Sequence, residues 1–427
     1  MELIITAVFV LGYACIALEH SIGINKSATA LITGAVCWGI FMVAMPDKGA
    51  VTTMLSEHLG SVSEILFFLL GAMTIVELID AHEGFQAIID SIRTRKYATL
   101  LWIVCFVSFF LSAVLDNMTT SIVMVSLLRK LIPDRNKKLL FAGMVVISAN
   151  AGGAWTPIGD VTTTMLWIGN QITVVNIIIK TFAASMVCMV VPLLIVSARL
   201  KGQPIDLHQN DEKAKQNSTT SEGNTVLWIG VVILIMVPVV KTITHLPPYI
   251  VMLFGLGTLW VVTELIHRGK NSEDKDPLTV AHALRKIDTP NILFFLGILL
   301  SVASLEATGQ LHYLAEKLDK TIANDSAIVI LIGLLSAVVD NVPLVAAAQG
   351  MYSLEHFPTD SYFWEFLAYT AGTGGSILII GSAAGVAAMG IEKIDFFWYL
   401  KRIGWLALLG YFAGAATYIL QVALLHT

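Results

Sequence analysis

The stretch Ser112-Ala-Val-Leu-Asp116-Asn117 recurs in the second half of the chain as Ser336-Ala-Val-Val-Asp340-Asn341. Each copy places a carboxylate and an amide in the middle of a long apolar run. An ionisable group in such surroundings is expensive to bury and marks a functional site by default. The repetition predicts a paired site, with one half contributed by each half of the chain.

Composition places this pair in a membrane. Of the 427 residues, 56% are hydrophobic and 13% are charged, against about a quarter charged in ordinary soluble domains, and the mean hydropathy is +0.77. The net charge is −5 and the sequence has no basic tail, which argues against a nucleic-acid partner. We therefore expect a multi-pass protein of the cell membrane, with the lipid bilayer as a partner.

The apolar runs predict an all-α polytopic membrane protein, because they are about 18 to 20 residues long and lack the ten-residue alternation of a barrel. Each half has three plain runs, two long runs interrupted by polar or glycine residues, and one closing run. The runs cover residues 3–18, 28–44, 65–79, 98–128, 139–168 and 174–196, and then 225–240, 249–266, 292–305, 327–351, 363–389 and 404–425.

Further sequence matches between the two halves of the chain indicate an internal repeat. Ile65-Leu-Phe-Phe-Leu-Leu-Gly71 matches Ile292-Leu-Phe-Phe-Leu-Gly297, and the Gly-Gly-x5-Gly frame that ends at Gly159 matches the frame that ends at Gly381. We predict a first repeat over residues 1–199, a polar cytoplasmic linker over 200–224 and a second repeat over 225–427.

Loop charges predict the path of the interrupted run 98–128. Basic residues precede it, at Arg93, Arg95 and Lys96, and others follow it from Arg129 onward, so both of its ends favour the cytoplasm. A re-entrant hairpin with Asp116 at its tip meets this condition, and a single kinked span is the alternative. Five crossings per half then invert the second repeat, giving about ten full spans plus two hairpins, as in secondary transporters.

The polar groups around the first tip and the first break are carboxylates, amides and hydroxyls. Such oxygen-rich ligands suit hard cations, and Lys180 is the only clear basic candidate within the membrane body. A buried carboxylate holds either a proton or a metal cation, so competition couples the two ions. These groups are Ser112, Asp116, Asn117, Thr119, Thr120, Asn150, Thr156, Asp160, Thr162, Thr163 and Thr164.

The segments Asp116-Asn-Met-Thr-Thr120 and Ser148-Ala-Asn-Ala-Gly-Gly-Ala-Trp-Thr-Pro-Ile-Gly-Asp160-Val-Thr-Thr163 resemble the NhaD-type sodium/proton antiporters of the ion transporter superfamily, and the resemblance covers essentially the whole chain. It implies sodium or lithium exchange for protons by alternating access, in the service of pH homeostasis, with no cofactor. It also implies a sodium site with Asp116, Asn117, Asn150 and Asp160, joined by Thr162, Thr163 and Ser112. The implied second-half counterparts are Ser336, Asp340, Asn341, Thr373 and Ser376.

Structural and functional alternatives accompany this hypothesis. The aspartates are equally the residues that cap a hairpin tip or open a helix, and the threonines after Asp160 can bond to their own helix. An anion carrier of the same fold, for arsenite or carboxylates, is the second functional candidate. The absence of a Tyr-Asp and Gly-x-Gly-Asp pair argues against an intramembrane aspartyl protease, so we predict that the protein is not an enzyme.

Four titratable residues around the run 65–79 are candidates for proton entry or pH sensing: His58, Glu64, Glu77 and His82. An interfacial acid or histidine that is merely solvated is the alternative for each of them. Because many carriers that work by an elevator motion dimerise, we also expect a homodimer.

Overall fold

The structure is a computed structural model that describes residues 1–86, 94, 96–205, 221–271 and 275–425. Within these residues it is helical, with one isolated β-bridge between Lys96 and Pro204. Residues 206–220 of the predicted linker, and Arg93 and Arg95, lie outside the described residues. Helices of eight residues or more are α1 (Glu2–Ala17), α2 (Lys26–Ala44), α3 (Lys48–Ala81), α4 (Tyr97–Leu115), α5 (Asn117–Leu131), α6 (Arg135–Gly153), α7 (Val161–Ile168), α8 (Val174–Leu200), α9 (Ser221–Thr244), α10 (Pro248–Ile266), α11 (Thr289–Ala307), α12 (Gln310–Ile322), α13 (Asp325–Leu335), α14 (Asn341–Met351), α15 (Tyr362–Gly374), α16 (Ala383–Glu392) and α17 (Trp405–Leu425).

Local capping sets where many of these helices begin. Asn25 accepts a hydrogen bond from the backbone of Ser27 at the start of α2, and Asp47 and Asp134 do the same for α3 and α6. A side-chain oxygen at this position satisfies one of the backbone N–H groups that the first helical turn leaves free. The polar residues that interrupt the apolar runs therefore fix the helix starts.

Eight helices in the described part of the chain are long and apolar enough to cross a membrane. The sequence predicts ten spans, and the two numbers differ for physical reasons. Helix α1 has only 16 residues, and the predicted span 363–389 is divided into two short helices. The predicted span 139–168 is divided into the eight-residue α7 and the 19-residue α6, which begins with Arg135, Asn136, Lys137 and Lys138 and is too polar to be included. Helix α4, predicted as one arm of a hairpin, is long and apolar enough to be included.

The helices pack as two groups. Helices α1, α2, α3, α9, α10 and α11 form what we call the flanking group, and α4 to α8 with α13 to α17 form the site group. In the flanking group the backbones of α2 and α11 pack closely where the two helices cross: a Cβ at Gly34 would lie 2.7 Å from the carbonyl oxygen of Gly297, and a Cβ at Gly297 would lie 2.4 Å from the backbone nitrogen of Leu31. The Gly297 of the repeated Ile-Leu-Phe-Phe phrase is thus a helix-crossing residue.

Two helices extend beyond what the apolar runs predict. Helix α3 spans 34 residues, although the run predicted only 65–79, because its first turns expose polar side chains such as Thr52 and Ser56 that hydropathy does not detect. Helix α12 is amphipathic and buries only Leu311 and Ala315. It connects α11 of the flanking group to α13 of the site group.

Candidate cation site

Four helix interruptions meet in the site group. Helix α4 ends at Leu115 and α5 begins at Asn117, while α13 and α14 are separated by residues 336–340. Helix α6 gives way to α7 across residues 154–160, and α15 gives way to α16 across residues 375–382. Broken helices leave free backbone groups and side-chain caps at their ends, which is how transporters build ion sites inside a membrane.

Asp116 forms the whole first tip. Its backbone has φ 105°, a region that residues other than glycine rarely adopt, and strain of this kind is concentrated at functional sites. Its carboxylate accepts hydrogen bonds from the backbone N–H and the hydroxyl of Thr119, both at 2.8 Å. The carboxylate thus caps α5 and also remains partly exposed.

The tip of Asp116 borders a cavity between the two helix groups. The cavity has a volume of about 50 Å³ and is lined by the tip and by flanking-group residues that include Met73, Leu234 and Asn291. The lining is mostly apolar, but it also includes the polar residues Asp116, Asn117 and Thr119. A space of more than about 15 Å³ can hold a water molecule where polar partners are present, so the room for one lies beside Asp116.

Asp160 lies at the centre of the site and is 2% exposed. Its Oδ1 accepts from the backbone N–H and the hydroxyl of Thr162, both at 2.9 Å. Its Oδ2 accepts from Asn117 Nδ2 at 2.6 Å and from Asn341 Nδ2 at 3.4 Å. The asparagines of both repeated Asp-Asn pairs therefore reach the same carboxylate, and no basic side chain of the described residues forms an ion pair with it.

Asn150 joins the two halves on the other side of Asn117. Its Oδ1 accepts from Asn117 Nδ2 at 3.0 Å, and its Nδ2 donates to the hydroxyls of Ser376 and Ser382, both at 2.9 Å. All of these side chains are buried. Asp160, the two tip amides, Asn150 and the two serines thus form one connected polar cluster.

Several predicted site residues do not join the cluster and bond to backbone carbonyls near the helix interruptions. Ser112 donates to the carbonyl of Ala149 at 2.6 Å, and Ser336 donates to the carbonyl of Ala371 at 3.1 Å. Three predicted threonines also bond to nearby backbone carbonyls, whereas Thr120 is buried without a hydrogen-bond partner in the described part of the chain. Thr156 donates to Ala113, Thr163 to Asp160 and Thr373 to Tyr369.

Asp340 lies apart from the cluster that its neighbour Asn341 enters. Its Oδ1 accepts from the backbone of Val342 at 3.3 Å, and its Oδ2 lies 3.5 Å from Nζ of Lys26, at the start of α2. The two tips are therefore chemically different, since Asp116 faces a cavity and Asp340 faces a lysine.

Ser382 is a cluster member that the sequence analysis missed. It directly follows Gly381, just as Asp160 follows Gly159, so the repeated glycine frame already pointed to it. Both residues are helix N-caps with nearly equal backbone angles, φ −146° and ψ 147° for Asp160, and φ −147° and ψ 153° for Ser382. The second break therefore offers a hydroxyl where the first offers a carboxylate.

The four pH-sensing candidates lie on or just beyond α3 in the flanking group. His58 packs on the ring of Trp38, Glu64 lies near Lys241, and Glu77 pairs with Lys286 at 3.4 Å. His82 is buried and its Nε2 lies 2.8 Å from Nε2 of His267. None of the four contacts the polar cluster directly.

Burial lowers the pKa of both His82 and His267 from the ordinary histidine value. The two rings are stacked, with centroids 5.1 Å apart, and like charges at this separation repel. Burial and mutual repulsion therefore both favour the neutral form of the pair.

The cluster has the chemistry of a hard-cation site. Its oxygen atoms come from the Asp160 carboxylate, amides and hydroxyls, which are the kinds of group that bind hard cations in proteins. A group of three or more His, Cys, Asp or Glu residues able to hold a resident metal ion is absent from the residues that the structure describes. A buried carboxylate without a basic partner is costly when charged and empty, so a proton or a cation stabilises it.

Comparison with known proteins places the chain in a family. The family model described as citrate transporter matches residues 13–374. Sodium/proton antiporter 1 of Arabidopsis thaliana is 50% identical, over 96% of this chain and 71% of that protein, and sodium/proton antiporter 2 of the same plant is 47% identical, over 96% of this chain and 97% of that protein. The Na(+)/H(+) antiporter NhaD of Alkalimonas amylolytica is 29% identical, over 98% of this chain and 91% of that protein. The chain is therefore an integral membrane protein that belongs to the NhaD-type sodium/proton antiporters, within the family described by the citrate transporter model.

Proposed function

We propose that this protein exchanges sodium or lithium ions for protons across its membrane, with the cation and the proton competing for Asp160 and Asp116. The observation that carries the proposal is the environment of Asp160, a buried carboxylate that both hairpin tips reach and that no basic side chain of the described residues pairs with. The names of the relatives support the same exchange. Transport of this kind needs no cofactor and no chemical catalysis.

Asn117 and Asn341 would respond to the occupant of the site. Both now point an amide nitrogen at Asp160 Oδ2, which stabilises a charged carboxylate by hydrogen bonding. A bound cation repels N–H groups, so both amides would turn their oxygens toward it. Because one amide comes from each half of the chain, occupancy of the site would be sensed by both hairpins.

An anion carrier is less compatible with these residues. An anion would need positive charge in the cluster, whereas Asp116 and Asp160 bring negative charge. Two flanking-group lysines that reach the site group contact residues outside the cluster: Lys26 lies 3.5 Å from Asp340, and Lys241 donates to the carbonyl of Trp167 at 2.7 Å. The family model that matches the chain carries the description of a citrate transporter, but the residues of the site offer no observation in favour of arsenite or carboxylate transport.

The proposed architecture is a pair of inverted repeats, residues 1–199 and 225–427, with ten full spans and two re-entrant hairpins. Equivalent close contacts support it: a Cβ at Gly152 would lie 2.2 Å from the carbonyl of Phe109, and a Cβ at Gly374 would lie 1.9 Å from that of Gly333. The first hairpin also begins near where it ends, since Lys137 of the next helix lies over the ring of Tyr97 at 3.9 Å. Inversion gives the site two equivalent routes, as alternating access requires.

The experiment is sodium-driven proton flux in reconstituted vesicles. Addition of sodium should collapse an imposed proton gradient with the wild-type protein, and Asp116→Asn or Asp160→Asn should abolish this response while the protein still inserts. Lys320→Gln, on the exposed face of α12, is the control and should exchange normally. Robust exchange by both aspartate variants would refute the site, and absence of wild-type exchange would refute the function.

A further inference from the structure

The two hairpin tips carry the same Asp-Asn pair but have different electrostatic partners. Asp116 hydrogen-bonds to Thr119 and borders the cavity. Asp340 lies 3.5 Å from the ammonium group of Lys26, with exposed side-chain fractions of 15% and 22% respectively. The two tips have nearly identical sequences, but the backbone of Asp116 has φ 105° and that of Asp340 has φ −48°, and only Asp340 has a lysine of the flanking group beside it.

Lys26 is held toward the second tip by its surroundings. It is the first residue of α2, and the neighbouring Ser27 hydroxyl donates to the carbonyl of Pro290 at 2.6 Å, which ties this end of α2 to α11. The Lys26 ammonium also lies 4.2 Å from the centre of the Phe294 ring on α11, at cation–π distance. The lysine is thus fixed by the flanking group while its partner belongs to the site group.

We propose that Lys26 is a resident counter-ion for Asp340, occupying the second tip in place of a transported cation. The inference rests on the proposed exchange of cations for protons and assigns its transported cation to the first tip and Asp160. An ammonium ion and a sodium ion both neutralise a carboxylate, so the tethered ammonium excludes a second sodium as long as the pair is intact.

The pair also links two bodies that alternating access must move relative to one another. When the site group shifts, a side chain anchored on α2 and a tip between α13 and α14 must separate or move together. The ion pair is therefore a contact specific to this arrangement of the groups, and its loss should change the rate of exchange more than the affinity for sodium.

A double-mutant cycle tests the pairing. Lys26→Gln leaves the partly buried Asp340 carboxylate without a counter-ion, and Asp340→Asn does the same to the Lys26 ammonium group. Each single variant should therefore lower the maximal exchange rate by about tenfold, whereas the double variant should return to within about threefold of the wild-type rate. The exposed pair Lys320 and Glu316 on α12 is the matched control, and the same cycle there should show no coupling.

Sodium binding gives a second readout that a merely structural pair would not move. In Lys26→Gln the unpaired Asp340 should bind a further cation, so that equilibrium binding of radioactive sodium rises from one ion per protein to two. In Asp340→Asn the sodium KM should stay within about threefold of the wild-type value. A KM raised more than about tenfold by Asp340→Asn would make Asp340 a sodium ligand and overturn the proposal. The proposal would also be overturned if Lys26→Gln and Asp340→Asn lowered the exchange rate independently, so that their effects multiplied in the double variant while the wild type exchanged normally. Failure of the wild type to exchange would instead refute the proposed function.

Discussion

At the scale of single residues, the site depends on which side-chain oxygens face each other across the two halves. Asn150 is the residue that connects them, because it accepts from the first tip and donates to Ser376 and Ser382 in the second break. Removing one acceptor leaves a buried amide N–H group with one partner fewer. Such a loss costs about 1 kcal/mol or more when the group stays buried.

Ser382→Ala should therefore weaken sodium binding without abolishing exchange. We expect the sodium KM to rise by about three- to tenfold, because Asn150 loses an anchor and holds Asn117 less firmly. The measurement is sodium-dependent proton flux over a range of sodium concentrations. Ser56→Ala, on the exposed part of α3, is the control; an unchanged KM in Ser382→Ala would remove Ser382 from the site.

The sequence predicted some of these residues for clear reasons and missed others for equally clear ones. Asp116, Asn117, Asn150 and Asp160 stand out because polar groups in apolar runs are costly, and the structure brings the last three into direct contact. Ser382 is a common helix cap and carries no such signal unless the repeats are aligned. The ion pair between Lys26 and Asp340 joins distant parts of the chain, so no local sequence pattern predicts it. Hydropathy had singled out a different lysine, Lys180, as the one basic residue within the membrane body.

At the scale of helices, the breaks are held against the hairpins by glycines. A Cβ at Gly374, at the end of α15, would lie 1.9 Å from the carbonyl of Gly333 in α13. The Gly-Gly frames recognised in the sequence thus mark places where a broken helix touches a hairpin backbone. Helix ends were predicted less well, since α3 begins well before its apolar run and α12 has only a narrow apolar stripe.

Gly374→Ala should separate α15 from α13 and displace the second break. Overpacking of this kind costs about 1–3 kcal/mol or more, so we expect a lower melting temperature in detergent together with strongly reduced exchange. Gly257→Ala on α10 is the matched control, because a Cβ there meets open space. Wild-type exchange and stability in Gly374→Ala would show that the close contact is not needed.

At the scale of the whole molecule, two helix groups enclose a small cavity beside Asp116. Composition and run lengths predicted the membrane class correctly, whereas the re-entrant path inferred from the loop charges stays a prediction. The division into two groups depends on packing between distant helices, such as the crossing of Gly34 and Gly297, which periodicity alone does not encode. A homodimer remains a prediction.

The most direct test of competition between the ions is the sodium dissociation constant of the purified protein measured against pH. If one proton must leave for each sodium that binds, the Kd should rise by about tenfold for each pH unit below the range in which the carboxylates are free. The dependence should disappear in Asp160→Asn together with high-affinity binding. A sodium Kd that stays constant from acid to alkaline pH in the active wild-type protein would contradict competition for shared carboxylates.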